Sequence, residues 1–157
     1  MEAKLVPAGT VIFKKGDIER CMYDLMEGTV AIYADYGLPT QRKLTTLSAE
    51  KNRFLGEMGL FDSAPRSATA VAETDCRMLT IDADNARSYF ENSPETLLAI
   101  MRQLSDRTRT LTNDYMEAAQ TIAESERYRK KGEGIPKRLV DKLHGFADIW
   151  RALSGKN

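Results

Sequence analysis

Histidine is nearly absent from this chain, and His144 is the only one. With no second histidine and no clustered carboxylates, neither a His-based catalytic centre nor a hydrolytic metal site is expected, and the chain reads as a non-enzyme. Cysteine is almost as scarce. Cys21 and Cys76 stand singly in stretches that read as strands, without metal-ligand spacing, and are expected to be buried thiols of a cytoplasmic protein rather than a disulfide. Net charge is lacking too, with 23 Lys+Arg balancing 23 Asp+Glu, so nothing global draws the chain to nucleic acid or a membrane surface. No apolar run approaches bilayer-spanning length, and Met1 to Pro7 has no signal-peptide core.

What remains is a chain of 157 residues, long enough for one domain with a real core. Its charge is unevenly placed. Residues 127–157 carry nine Lys/Arg and three Asp/Glu, a net of +6, so the remaining residues carry −6. A basic tail on an acidic body suits docking on that body or on an acidic partner.

The first half reads as short strands between glycine corners. Lys4 to Lys14 is extended around Val11, Ile12 and Phe13, and Gly16-Asp17 marks a turn. Strands are predicted over Cys21–Glu27, Thr29–Tyr36 and Arg42–Leu47, with Gly28 and the Gly37-Leu38-Pro39 loop between them. After a central segment, Ser67–Glu73 and Cys76–Asp82 read as two more strands. The alternating Ala68, Ala70 and Ala72 either leave room for a ligand or suit tight packing.

The central segment carries the chemistry. It runs Phe54-Leu55-Gly56-Glu57-Met58-Gly59-Leu60-Phe61-Asp62-Ser63-Ala64-Pro65-Arg66-Ser67-Ala68-Thr69. The fork of a guanidinium bonds two phosphate oxygens at once. A carboxylate is a poor phosphate ligand, so Glu57 points to a sugar hydroxyl. Gly56 and Gly59 let the backbone approach a ligand, and free N–H groups at a helix start favour an anion. A sugar phosphate of modest charge fits this pattern; an exposed Glu57–Arg66 ion pair of little energetic consequence is the alternative.

The segment resembles the phosphate-binding cassette of the cyclic nucleotide-binding domain, the family of catabolite activator proteins, cyclic-nucleotide-dependent kinases and cyclic-nucleotide-gated channels. Gly56-Glu57-Met58-Gly59-Leu60 and Pro65-Arg66-Ser67-Ala68-Thr69 match its two half-motifs. The resemblance implies an α+β fold, an antiparallel β-roll (a jelly-roll-like sandwich) followed by C-terminal helices. It implies that Glu57 takes the ribose 2′-hydroxyl, that Arg66 pairs with the exocyclic phosphate oxygens, that Ser67 adds a hydrogen bond, and that backbone N–H groups at Gly56, Met58 and Ala68 complete the cradle. The ligand is then cyclic AMP or cyclic GMP, with cyclic AMP favoured by its wider use in bacterial-type members, and no cofactor is called for. One departure precedes the cassette: the family's Pro-Gly-Asp-like turn is replaced by Ala49-Glu50-Lys51-Asn52-Arg53, where Asn52 is expected to take the left-handed conformation that glycine would.

Beyond the roll, which is assigned residues 1–92, the period changes. A short helix is predicted over Ala83–Asn92. A long one follows over 93–131, with Ser93-Pro94-Glu95 as its start. Its apolar stripe comprises Leu97, Ile100/Met101, Leu104, Leu111, Tyr115, Ala118/Ala119 and Ile122. By resemblance this helix closes over the base, with Leu111, Thr112, Asn113 and Tyr115 as the facing residues. Core packing is the other reading for Leu111 and Tyr115, as is a dimer seam through Leu97, Leu104, Leu111 and Ala118. Gly132, Gly134 and Pro136 break the helix, and 137–153 forms a basic amphipathic helix for packing, for a partner, or for an anionic surface. Thirty-one residues follow Glu126, too few for the helix-turn-helix of the family's activators, so sequence-specific DNA binding is not expected. The family's helix before the first strand is also missing, as expected for a fragment of a larger protein or for a helical part built from C-terminal elements alone.

Overall fold

The computed structural model describes the backbone of residues 2–154 and the side chains of residues 2–147. Eight strands come first: β1 (Ala3–Val6), β2 (Val11–Phe13), β3 (Cys21–Glu27), β4 (Thr29–Ala34), β5 (Arg42–Ser48), β6 (Phe54–Leu55), β7 (Thr69–Ala72) and β8 (Cys76–Asp82). Helix α1 (Glu57–Phe61) lies between β6 and β7; α2 (Ala86–Asn92), α3 (Pro94–Lys130) and α4 (Lys137–Ser154) close the chain. The residues form two compact units, 1–101 and 102–157, with the division inside α3.

The first unit is a roll of two four-stranded antiparallel sheets, ordered β1-β8-β3-β6 and β2-β7-β4-β5. The extended stretch from Lys4 to Lys14 serves both sheets, because the chain turns at Pro7–Thr10 and crosses from β1 to β2. Strand alternation puts Phe13, Leu25, Val30, Leu47, Leu55, Ala70, Ala72, Cys76 and Met78 in one core cluster. Ala70 and Ala72 are therefore packing residues. Their missing bulk lets the layers approach, whereas Ala68 lies in the cassette, just before β7. The β3–β4 corner needs glycine: Gly28 has φ +91°, and a Cβ there would meet the Asp75 carbonyl oxygen at 2.5 Å. Asn52 takes φ 57°, the left-handed turn expected of it.

Helix α2 begins later than its sequence suggests. Asp82 and Asn85 exchange side-chain bonds with each other's backbone N–H at 3.1 and 3.0 Å, and this turn holds residues 83–85 out of the helix.

The second unit pairs the remainder of α3 with α4. Helix α3 ends in a Schellman turn: Glu133 N–H donates to Tyr128 O (3.0 Å), Gly132 N–H donates to Arg129 O (3.1 Å), and Gly132 has φ 71°. The basic helix folds onto its own chain, with Arg138 on Glu124 (2.7 Å), Lys142 on Glu117 (2.6 Å) and Leu139 2% exposed. The buried positions of α3 here are Thr121 and Ser125, whose hydroxyls donate to the carbonyls of Glu117 and Thr121 one turn back. Within this unit the expected apolar stripe is thus not the packed face: Leu111, Tyr115 and Ile122 are all at least half exposed. Small hydroxyl residues let α4 approach α3, which bulky leucines would not. Arg151, Trp150 and Leu153, expected on α4, lie outside the residues whose side chains are described.

Candidate functional site

Helix α1 is a single turn between two glycines, and both glycines are explained by Arg66. Gly56 caps the helix with φ 73°, ψ 14°, a conformation that side chains resist. A Cβ on Gly56 would lie 2.4 Å from Arg66 Nη1, and one on Gly59 would lie 2.7 Å from the same atom. The glycines leave a slot, and the guanidinium fills it.

Arg66 is 4% exposed. Its backbone is fixed first: Arg66 N–H donates to Asp17 O (2.9 Å), and Gly16 N–H donates to Arg66 O (2.8 Å). The guanidinium then donates from Nη1 to Gly56 O (2.6 Å) and from Nη2 to Cys21 O (2.8 Å). It sits 4.4 Å over the Phe13 ring, and Glu19 Oε2 lies 3.5 Å from Nη2. Nε has no acceptor among the described residues. A charged donor buried without an acceptor is costly, and an oxygen supplied by a ligand would remove that cost. Beneath the arginine, Tyr23 stacks on Phe13 at 6.1 Å. Burial, followed by the Cys21 hydrogen bond, raises the Tyr23 phenol well above its ordinary pKa.

The other cassette residues gather around this seat. Glu57 opens α1 and is 2% exposed, so an exposed surface ion pair does not describe it. Met58 is 43% exposed on the outer side of α1. Ser67 is exposed beside Arg66, and Ala68 is buried. Thr69, next in line, is buried and accepts from Lys15 N–H at 3.0 Å. Gly56, Glu57, Met58, Arg66, Ser67 and Ala68 all lie in the first unit, on α1 and the segment that carries Arg66. Leu111, Thr112, Asn113 and Tyr115 lie in the second unit on exposed turns of α3, with Leu111 55% and Tyr115 72% exposed. Among the described residues no cluster of His, Cys, Asp or Glu could hold a metal ion, and both cysteines are free thiols.

Sequence reasoning missed the seat of the arginine. Phe13 was legible only as core, Cys21 only as a thiol, and Glu19 not at all. The common signal is their position in or next to the Gly16-Asp17 corner, whose backbone binds that of Arg66.

Comparison with known proteins agrees with this architecture. Residues 3–93 match the cyclic nucleotide-binding domain family. The chain is 30% identical over 109 residues to the CRP-like cAMP-activated global transcriptional regulator of Mycobacterium tuberculosis, covering 69% of this chain and 47% of that protein. It is 32% identical over 107 residues to a cyclic nucleotide-gated potassium channel of Rhizobium etli, covering 68% and 28%. The chain thus spans less than half the length of either relative. The crystal structure of the Thermus thermophilus catabolite activator protein superposes with a TM-score of 0.57 at 23% identity, over 98% of this chain and 77% of that one, which shows the shared fold. Two-sheet roll, glycine-bounded cassette helix and matching sequence agree that this chain belongs to the cyclic nucleotide-binding domain family.

Proposed function

We propose that the chain is a sensor of a cyclic mononucleotide, with cyclic AMP the favoured ligand and cyclic GMP the alternative, and with no chemistry of its own. The observation that carries this reading is the buried guanidinium of Arg66, whose Nε–H has no acceptor within hydrogen-bond reach among the described residues. A cyclic phosphate has one negative charge and two exocyclic oxygens, which suits a single arginine better than a doubly charged monoester does. Glu57 takes the ribose 2′-hydroxyl, and Ser67 and the N–H groups of Gly56, Met58 and Ala68 complete the cradle. Leu111, Thr112, Asn113 and Tyr115 cover the base in the occupied state. Occupancy then shifts the population of α3 arrangements, with the Gly132–Pro136 break as the hinge toward α4.

A second copy of the chain covers the exposed seam of α3, where Leu97 is 40% and Leu111 55% exposed at heptad spacing. Light scattering distinguishes the dimer from the monomer. Calorimetric titration with cyclic AMP, cyclic GMP and 5′-AMP tests the sensor: micromolar or tighter binding of one cyclic form, with 5′-AMP ignored, is the expected result. Silence with all three, at protein concentrations well above micromolar, overturns it. The rival reading then takes its place, a non-catalytic interaction module with an empty or differently occupied pocket, whose basic C-terminal helix binds a partner irrespective of nucleotide.

A further inference from the structure

The roll buries a second polar group away from the arginine seat. Along β3, Leu25 points into the sandwich core, so Met22 and Asp24 point out through the opposite face of the sheet. That face is covered, and Asp24 is only 3% exposed. An isolated buried carboxylate is expensive, and this one is surrounded by donors. Arg53 grips it with two prongs, Nε to Oδ1 and Nη2 to Oδ2, both at 2.5 Å. The Tyr89 hydroxyl donates to Oδ2 at 2.6 Å. Each partner comes from a different element: β3, the turn entering β6, and α2.

Position gives this triad its meaning. Arg53 immediately precedes Phe54-Leu55-Gly56-Glu57, the arm that leads into the cassette. The arm is short and its strand pairing is only two residues long, Tyr23 with Leu55 and Asp24 with Phe54. Backbone bonding adds one contact, Leu25 N–H to Arg53 O at 2.9 Å. At the far end of α1, Phe61 stacks on Phe90 at 6.2 Å, so neighbouring residues of α2 hold both ends of segment 53–61.

We propose that Asp24, Arg53 and Tyr89 are positioning residues for the cassette: the buried carboxylate ties the entry arm to α2 and holds Gly56 and Glu57 in binding geometry. They do not touch the ligand. The effect on affinity rests on the function proposed above, whereas the anchoring itself is a property of the unliganded chain.

The test uses the full chain and Tyr89→Phe, which removes one oxygen and keeps the ring. Hydrogen exchange without ligand is followed in segment 54–61 and in strands β4 and β7. Loss of one hydrogen bond to a charged group predicts exchange in 54–61 roughly tenfold faster or more, with β4 and β7 unchanged. Equal exchange in 54–61, or uniform acceleration through β4 and β7, overturns the proposal. Arg53→Lys, which keeps the charge but loses the fork, gives the same readout should Tyr89→Phe melt too early. Titration with cyclic AMP and cyclic GMP is the second arm, and an affinity at least threefold weaker in Tyr89→Phe is expected. Affinity equal to wild type overturns the positioning role. If the wild-type chain binds neither nucleotide, the sensor reading fails, and the exchange arm still decides the anchoring.

Discussion

Replacing Gly59 by alanine sets two physical effects against each other. Gly59 lies within α1 and is not among the glycines of positive φ, so alanine meets no backbone strain there. Helix propensity alone favours alanine by about 1 kcal/mol. The added Cβ, however, would lie 2.7 Å from Arg66 Nη1 and 2.9 Å from the Glu19 carbonyl oxygen, and the second contact is with backbone. The guanidinium must leave its slot, abandoning its bonds to Gly56 O and Cys21 O. Hydrogen bonds from a charged donor contribute about 1.5–3 kcal/mol each. The loss of both exceeds the propensity gain, leaving a net destabilisation of about 2–5 kcal/mol. For a chain of this size that is a melting temperature lowered by roughly 4–20 °C. Nucleotide affinity is expected to fall at least tenfold in the same variant, because the guanidinium proposed to hold the phosphate is displaced. Circular-dichroism melts and calorimetric titration measure the two effects. A melting temperature raised above wild type, with unchanged binding, refutes the reasoning, since it shows that propensity decides and that the arginine is not seated under α1.

Arg66→Ala is expected to abolish measurable cyclic-nucleotide binding while the roll stays folded, whereas Glu57→Ala weakens binding less, the loss of one hydroxyl contact; parallel titrations compare them. Burial first, and then the hydrogen bond to Asp24, pushes the Tyr89 phenol up to about 12 from its ordinary 10. Between those values the unfolded chain has lost the proton that the folded chain keeps, so stability is full below pH 10 and falls as pH rises through about 12. Urea titrations across this alkaline range should show a shallower fall in Tyr89→Phe, with Tyr23 supplying part of what remains. In the second unit, Leu139→Ala is expected to cost about 2–5 kcal/mol and release α4. Arg138→Ala removes an exposed ion pair and costs under about 1 kcal/mol. Chemical denaturation followed by helix content distinguishes the two.

The roll was legible because its signals are local. Glycines mark corners, β-branched runs mark strands, and Ser93-Pro94-Glu95 marks the start of α3. Asn52 stood in for glycine as its side chain allows. The cassette was legible in type and spacing, yet the posture of its arginine was not. That posture depends on the carbonyls of Gly56 and Cys21 and on the Phe13 ring, and carbonyls leave no trace in a sequence. Asp24, Arg53 and Tyr89 were invisible for a related reason. They are far apart in the chain, and each alone reads as an ordinary polar position until β3, the entry arm and α2 converge. In the second unit the buried positions of α3 were not legible, because Thr121 and Ser125 hide their hydroxyls in the helix itself and so behave as small apolar residues, whereas Ile100 of the expected stripe is buried.

The way Arg66 is held also determines what it can still attract. A carboxylate in close, buried contact would cancel the cation and leave a neutral pair. Gly56 O and Cys21 O orient the guanidinium with their dipoles, and the carboxylate of the half-exposed Glu19 lies 3.5 Å from Nη2. A cation held in this way sits inside a low-dielectric shell, where a charge pulls on an arriving anion several times more strongly than it would in open water. The roll holds its arginine as a source of field, kept in place largely by carbonyl dipoles and a ring face.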